Sequence, residues 1–199
     1  TGVGFQPDFV WVKNRSDTDG WPHILTDAVR GGGPSLQSNS TGAEVAANSS
    51  GYVSAFATDG FVVTEGDTRF ANTNGSSATY VSWNWLAGGS GSSNTNGSIT
   101  STVSANPTAG FSIVSYTGTG ANATVGHGLG VPLDMVITKP RNGGSHSWGV
   151  YQRYGSSGAE TQLQLNSTTA PNEGTSFWNG THPTSTVFTV NTASATNNS

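Results

Sequence analysis

Alternation of apolar and polar residues marks short strands along the chain. In residues 79–85 the apolar side carries Trp83 and Trp85, and in residues 161–166 Leu163 and Leu165 alternate with glutamines. This period of two is typical of a strand with one buried and one solvent-facing side. Together with runs of β-branched and aromatic residues bounded by Gly, Asn, Asp or Ser, it predicts strands at 9–13, 52–56, 60–64, 79–85, 110–116, 134–139, 161–166 and 186–191.

Helices have little room in this sequence. The 28 Gly and 8 Pro lie at short intervals, so a helix of three turns would be interrupted almost everywhere. The best candidate for a short helix is residues 24–31, ILTDAVRG, which fit a strand and turn equally well. The fold class predicted is therefore all-β, with tandem antiparallel β-sandwich modules that resemble jelly rolls.

Two parts of the chain repeat one another. At an offset of 126, six residues match in register: Gly2, Gly4, Asp8, Val10, Lys13 and Arg15 align with Gly128, Gly130, Asp134, Val136, Lys139 and Arg141. At an offset of 127, Trp21 matches Trp148, and residues 36–41 match residues 163–168. Agreement over some sixty residues indicates an internal duplication.

The duplication predicts two modules and a connection. The first copy, residues 1–89, lacks an N-terminal strand, and the second copy, residues 109–199, lacks a C-terminal one. Residues 90–108 are rich in Gly, Ser, Asn and Thr and are predicted to be a flexible linker. Each missing strand would leave an apolar sheet edge unpaired. Either the strands at 79–85 and 110–116 complete one another's sheets, or the chain is a window on a longer array; the second alternative is favoured, with a native polypeptide larger than 20.3 kDa.

Composition excludes several function classes. Only 9% of the residues are charged, compared with roughly 25% in ordinary soluble domains, and the net charge is −4, so no basic patch exists to bind nucleic acid. The absence of cysteine excludes disulfides, thiol catalysis and cysteine-based zinc sites. The sequence contains no run of 18 apolar residues, and membrane insertion is therefore not expected.

Three motifs carry a resemblance to a known family: GFQPDFVWVKNR at residues 4–15, VSANPTAGFSIV at 103–114 and VGHGLG at 125–130. They resemble the tandem repeat module of tail-fibre-like virion structural proteins of marine bacteriophages. The resemblance implies a β-rich module on the virion surface, outside the cell, with other virion subunits as partners and a homotrimer as one form of assembly. It supplies no catalytic residue.

The sequence contains no established catalytic motif. No G-x-S-x-G motif accompanies the Gly-rich residues 125–130, which are predicted to form a glycine turn with positive φ, and no nucleotide-binding or other cofactor motif occurs. Asp59 with Asp67, or Glu160 with Glu173, could in principle form the paired acids of a glycoside hydrolase. No catalytic residue and no cofactor are predicted.

Metal binding is also not predicted. Asp17 and Asp19, in SDTDG, could hold a calcium ion, but calcium needs six or more oxygen ligands and the loop has no third acid, so a plain turn is favoured. The four histidines have no ligand spacing such as H-x-x-x-H.

The aromatic residues are the remaining candidates for binding, because a Trp face can stack on a sugar ring. Trp11, Trp83 and Trp85 lie within strands and are predicted to be core. Trp178 lies in a loop-like segment beside Asn179 and His182, and these three residues are the predicted ligand-binding site.

The function predicted from these features is non-catalytic. The chain is expected to be a surface-exposed module of a phage virion that serves as a spacer and adheres to the host, with a host cell-surface glycan as its ligand. Two alternatives stay open: a purely structural capsid decoration or fibre spacer without a ligand, and a polysaccharide depolymerase.

Overall fold

The computed structural model describes residues 2–16, 20–66, 72–153 and 161–199. These residues form an all-β protein, and the predicted fold class is confirmed. In chain order the strands are β1 (Phe9–Asn14), β2 (Ile24–Asp27), β3 (Leu36–Gln37), β4 (Val53–Ala57), β5 (Gly60–Val63), β6 (Tyr80–Trp85), β7 (Ser92–Asn94), β8 (Ser101–Asn106), β9 (Phe111–Tyr116), β10 (Ala123–Gly126), β11 (Met135–Thr138), β12 (Gly149–Gln152), β13 (Thr161–Gln164), β14 (Asn172–Glu173) and β15 (Val187–Val190). One short helix, α1 (Ser194–Asn197), follows β15.

The first copy is a small sandwich of two antiparallel sheets. Strands β3, β2, β1 and β6 lie side by side in that order, and the hairpin β4–β5 covers one face of this sheet. Alternation in β1 places Val10 and Val12 on the covered face, where they pack with Val53 and the rings of Phe56 and Phe61. The segment 24–31 is a strand and turn, since β2 ends at Asp27 and residues 28–30 form a turn.

The second copy repeats this plan with different partners. Strands β11, β12, β13 and β14 form one antiparallel sheet, while β15, the counterpart of β5, pairs with β10. Val125 and Val190 from the β10–β15 pair pack against Val136 and Tyr151 from the larger sheet. The two pairs of sheets therefore have separate apolar cores.

The prediction of a flexible linker between the two copies is wrong, because this segment forms strands. Residues 90–108 contain β7 and β8, which form a three-stranded antiparallel sheet with β9. Polar strands of this kind form because the ladder needs only backbone groups, and Val103 and Ser104 of β8 are buried. Ser104 also receives a hydrogen bond from Gly88 N at 2.8 Å, which ties the sheet to the first copy.

The two copies are in direct contact. Trp148 packs on Leu25 and Leu36 of the first copy, and its indole N–H is shared between the carbonyl oxygens of Gln37 and Ser40 at 3.0 and 3.1 Å. Backbone hydrogen bonds from Glu44 N to Arg141 O and from His146 N to Thr41 O, both 2.9 Å, join the same surfaces.

Neither copy's unmatched strand completes the sheet of the other. Strand β6 pairs with β1 of its own copy, and β9 pairs with β8. The first alternative for the missing strands is therefore not what the structure shows. None of the helical segments in the described parts of the chain has the length and apolar character to cross a membrane.

Candidate functional site

The outer face of the first sheet is aromatic. Residues of β1 and β6 that point away from the β4–β5 hairpin are paired directly, Phe9 with Trp85 and Trp11 with Trp83. Trp83 is 45% exposed, and Phe9, Trp11 and Trp85 are half-buried. The prediction that Trp11, Trp83 and Trp85 are core residues is wrong for Trp83, which is exposed. Trp11 is partly buried against Leu25, Leu36 and Trp148, and Trp85 is partly buried beneath Phe111.

The rings of this face contact one another in defined geometries. Trp83 meets the ring of Trp11 edge-on with centroids 6.1 Å apart, and Trp85 meets Phe9 in the same way at 5.3 Å. Phe111, from β9, stacks on Trp85 at 5.9 Å with planes 20° apart. Aromatic pairs at such separations stabilise one another, so the rings form a preorganised surface.

His23 fixes the orientation of the Trp11 ring. The indole N–H of Trp11 donates to His23 Nδ1 at 2.8 Å, so the proton of the neutral imidazole lies on Nε2. Partial burial lowers the pKa of His23, and the charge of Lys13 lowers it further. The neutral ring is therefore the form that accepts the indole proton near neutral pH.

The aromatic face forms one wall of a cleft of about 1220 Å³ between the two copies. We call it the aromatic cleft. Phe9, Trp11 and Trp85 line it on the first copy, and residues 131–143 line it on the second. Strand β9 also borders the cleft and supplies the hydroxyls of Ser112 and Ser115.

An ion cluster forms part of the lining of the cleft. Asp27 contacts Arg30 at 2.6 Å, Arg30 contacts Glu44 at 2.9 Å, and Glu44 accepts two hydrogen bonds from Arg141 of the second copy, both 2.9 Å. The Arg30 side chain is buried and also donates to the carbonyl oxygen of Leu25 at 3.0 Å. Its charge is thus fully compensated by neighbouring oxygens.

The cluster keeps Glu44 ionised. Burial of the carboxyl raises its pKa, but hydrogen bonds from Arg141 and Arg30, together with their charges, outweigh this effect, and the pKa is lowered overall. The hydrogen bond with Glu44 likewise raises the pKa of Arg141. Glu44 is a poor proton donor at neutral pH for this reason.

The structure corrects the assignment of Trp178 to a ligand-binding surface. Trp178 is only 1% exposed and packs edge-on against Tyr151 and Phe177 within the core of the second copy. A sugar cannot reach either face of the indole ring. The loop-like sequence around Trp178 gave no indication of its burial, because the turn at 176–180 directs this side chain inward.

Asn179 and His182 lie near Trp178 but have structural partners of their own. Asn179 has φ 53°, and its side-chain oxygen accepts a hydrogen bond from Asn191 at 3.1 Å. His182 is exposed, and its Nδ1 is 2.7 Å from the hydroxyl of Tyr151. The three predicted residues are thus close in space without forming a surface on which a sugar could stack.

Within the Gly-rich segment, Val125 and Gly126 end β10, and residues 127–130 form the predicted turn. Gly128 and Gly130 both have φ of 74°, and Gly4, the counterpart of Gly130, has φ of 86°. His127 is fully buried in this turn, where its Nδ1 accepts from Leu129 N at 3.3 Å and its Nε2 lies 3.2 Å from the oxygen of Thr184. Burial lowers the pKa of His127, and the bond to Thr184 partly opposes this.

The acidic residues considered for catalysis are only partly described. Asp17, Asp19, Asp67 and Glu160 lie outside the described residues. Asp59 accepts backbone hydrogen bonds from Gly2 and Gly4, a turn role rather than a site in a groove. Among the described residues, no group of three or more His, Asp or Glu side chains is placed to hold a metal ion.

Sequence comparison identifies a family without a known function. The chain belongs to the DUF7483 family, a domain of unknown function whose model matches residues 1–199. The match therefore includes both copies and the β7–β9 sheet between them. No curated protein and no solved structure matches the chain.

Proposed function

We propose that this chain is a non-catalytic, surface-exposed module of a phage virion, which acts as a spacer and adheres to a host cell-surface glycan through the aromatic cleft. The virion assignment, and with it the expectation of other virion subunits as partners, rests on the motif resemblance. The glycan contact rests on one observation: Trp83, Trp85, Trp11 and Phe9 form a partly exposed aromatic face beside a cleft.

The chemistry of the cleft suits an uncharged or weakly charged sugar. Pyranose rings present C–H groups that stack on indole faces. Trp83, which contacts the cleft residue Trp11 but is not itself a lining residue, offers the most exposed indole of this aromatic face. The hydroxyls of Ser112 and Ser115 can supply directional hydrogen bonds. The volume of about 1220 Å³ exceeds the roughly 300–1,000 Å³ typical of small-molecule sites, which favours an oligosaccharide.

The state of the acids in the cleft supports a binding role. Glycoside hydrolases need one carboxylic acid that is protonated before reaction, and this requires a raised pKa. Glu44 has a lowered pKa, and Asp27 is bound to the buried Arg30. In this proposal Glu44 holds the copies together through Arg141, Asp27 holds Arg30 within the first copy, and neither acid donates a proton to a glycosidic oxygen.

Replacing Trp83 with alanine tests the proposal. Glycan binding should weaken by about 1–3 kcal/mol in Trp83→Ala, since the stacking surface is lost. The free energy of unfolding should fall by only about 1 kcal/mol, because the side chain is partly exposed. Calorimetric titration against a panel of bacterial surface polysaccharides, with a melt of each variant, measures both quantities.

Val62→Ala is the matched control. Val62 is 50% exposed on β5, away from the cleft, and its loss should leave binding unchanged. Equal glycan affinity of the Trp83→Ala variant and the wild-type chain would refute the glycan contact. If no polysaccharide of the panel binds the wild-type chain, the purely structural alternative is favoured. Reducing ends measured in the same samples would increase with time only for a depolymerase.

A further inference from the structure

Strand β11 has one unpaired edge. It pairs with β12 on one side and is the terminal strand of its sheet, without a partner on its other side among the described residues. Met135 and Ile137 on this strand are 61% and 42% exposed. An exposed apolar edge strand of this kind is a template for pairing with another strand.

The internal repeat shows what occupies the same edge in the first copy. At the offset of 126, Phe9 and Trp11 of β1 correspond to Met135 and Ile137 of β11. In the first copy β6 pairs antiparallel with β1 along this edge, with Trp85 opposite Phe9 and Trp83 opposite Trp11. Residues 109–199 contain no counterpart of β6.

The backbone of β11 is oriented for such a partner. Arg153 N donates to Asp134 O at 2.8 Å, which places the backbone groups of Asp134 on the β12 side. Because the hydrogen-bonding direction alternates along an antiparallel strand, the amides of Met135 and Ile137 point toward the open edge. The equivalent amides in the first copy, those of Phe9 and Trp11, face β6. Arg15 lies four residues after Trp11 and therefore on the same side of the strand, and its N–H donates to Thr79 O at 2.7 Å.

A second, independent difference lies at the paired aspartates. Asp8 is 2% exposed, and its Oδ2 accepts hydrogen bonds from Ala87 N at 2.9 Å and Gly89 N at 3.1 Å, both directly after β6. Asp134, its counterpart, has a side chain that is 64% exposed, and among the described residues its side-chain contact is a long one of 3.4 Å to Arg153. The Asp134 carboxylate is thus free to accept the two backbone hydrogen bonds that Asp8 receives.

We propose that the open edge of β11, together with the Asp134 carboxylate, is a docking site for a strand and turn of the β6 type supplied by another copy of this repeat. The partner segment has the pattern of residues 80–89. It adds antiparallel to β11, places apolar side chains over Met135 and Ile137, and donates two turn amides to Asp134. Asp134, Met135 and Ile137 also line the aromatic cleft, so a docked strand and a glycan would compete for this wall, although neither proposal is a premise of the other.

A synthetic peptide with the sequence of residues 79–90, TYVSWNWLAGGS, tests the proposal on the intact chain. Labelled at its N-terminus, it should bind saturably by fluorescence anisotropy. In hydrogen-exchange measurements the exchange rates of the Met135 and Ile137 amides should then fall by about tenfold or more, because these amides become hydrogen-bonded in a β-ladder. Protection confined to β1 would show exchange with β6 instead and would overturn the proposal.

The role of Asp134 has its own variant and matched peptide. Asp134→Ala should weaken peptide binding by about 10-fold to 100-fold, because two hydrogen bonds to a charged acceptor are lost. A peptide N-methylated at its Ala87 and Gly89 positions should show the same weakening on the wild-type chain and no further weakening on the variant. Wild-type affinity of Asp134→Ala would refute the role of this carboxylate.

A variant of the edge itself completes the design. Ile137→Lys places a charge where an apolar side chain should pack, and it should abolish binding while the melting temperature stays within a few degrees of wild type. Ile137 is exposed in the free chain, so loss of the fold is not expected. Absence of saturable peptide binding by the folded wild-type chain would overturn the proposal as a whole.

Discussion

Trp178 shows how a single side chain determines the interior of the second copy. It is fully buried between Tyr151 and Phe177, and its indole N–H finds no acceptor among the described residues. A buried N–H without a partner costs free energy, so the packing of the ring must outweigh that cost.

Trp178→Ala should therefore lower the free energy of unfolding by about 3–5 kcal/mol, since it opens a large cavity in the core. Trp178→Phe is the matched variant and should cost less, because it keeps most of the apolar contact and removes the unpaired N–H. Denaturant titration of both variants measures the two losses. A change below about 1 kcal/mol for the alanine variant would contradict its placement in the core.

The turn at residues 127–130 depends on its neighbouring element. Gly128 and Gly130 have the same positive φ, but a Cβ at Gly128 would approach Val103 and Ala105 of β8 to 3.0 and 3.1 Å, whereas a Cβ at Gly130 would meet open space. Gly128 therefore allows both the positive φ and the close approach of the turn to β8, whereas Gly130 is required only for the positive φ.

Gly130→Ala should lower the free energy of unfolding by about 1–2 kcal/mol, because only the unfavourable positive φ of the alanine contributes. Gly128→Ala should cost more, because the added methyl group must also displace β8. Thermal or denaturant unfolding of the two variants gives the comparison directly. Equal losses would show that the contact with β8 has no energetic weight.

The strands were largely predictable because their alternation and composition are local properties. All eight predicted strands occur, as β1, β4, β5, β6, β9, β11, β13 and β15. The sequence leaves β2 undecided between helix and strand, does not predict β10 and β12, and has no clear pattern at the short strands β3 and β14. The polar strands β7 and β8 could not be predicted from hydrophobic patterning, since their ladder depends on β9.

Which face of a strand is buried was less predictable than the strand itself. A period of two identifies two faces, but only the position of the β4–β5 hairpin decides which one of β6 is covered. Alternation alone therefore predicts that Trp83 is buried, although it is exposed, and the loop-like sequence predicts that Trp178 is accessible, although it is buried. The candidate site was consequently found only from the structure.

At the scale of the whole molecule, Glu44 connects the two copies. It accepts hydrogen bonds from Arg30 of its own copy and from Arg141 of the other, and its side chain is mostly buried. Removing its charge leaves the buried Arg30 with Asp27 as its remaining acidic partner.

Glu44→Gln should lower the free energy of unfolding by about 1.5–3 kcal/mol, the range for hydrogen bonds to charged groups. Arg153→Gln is the control: its ion pair with Asp134 is long and exposed and should contribute less than about 1 kcal/mol. Denaturation of both variants at low and high salt compares the pairs. A loss for Glu44→Gln as small as that of the control would mean that the copies are held together without this cluster.

The sheet between the copies also has a consequence for folding kinetics. Pairing β1 with β6 requires Asn14 to meet Tyr80 across a separation of 66 residues, whereas β8 and β9 are joined by the short turn between Asn106 and Phe111. Loop-closure entropy rises with the logarithm of loop length, so the longer closure costs about 2 kcal/mol more. Among the strand pairs of the described residues, only the β4–β5 hairpin, with Ala57 opposite Gly60, closes a shorter loop than β8–β9. The segment with the most linker-like composition is therefore adjacent to a hairpin that is well placed to form early.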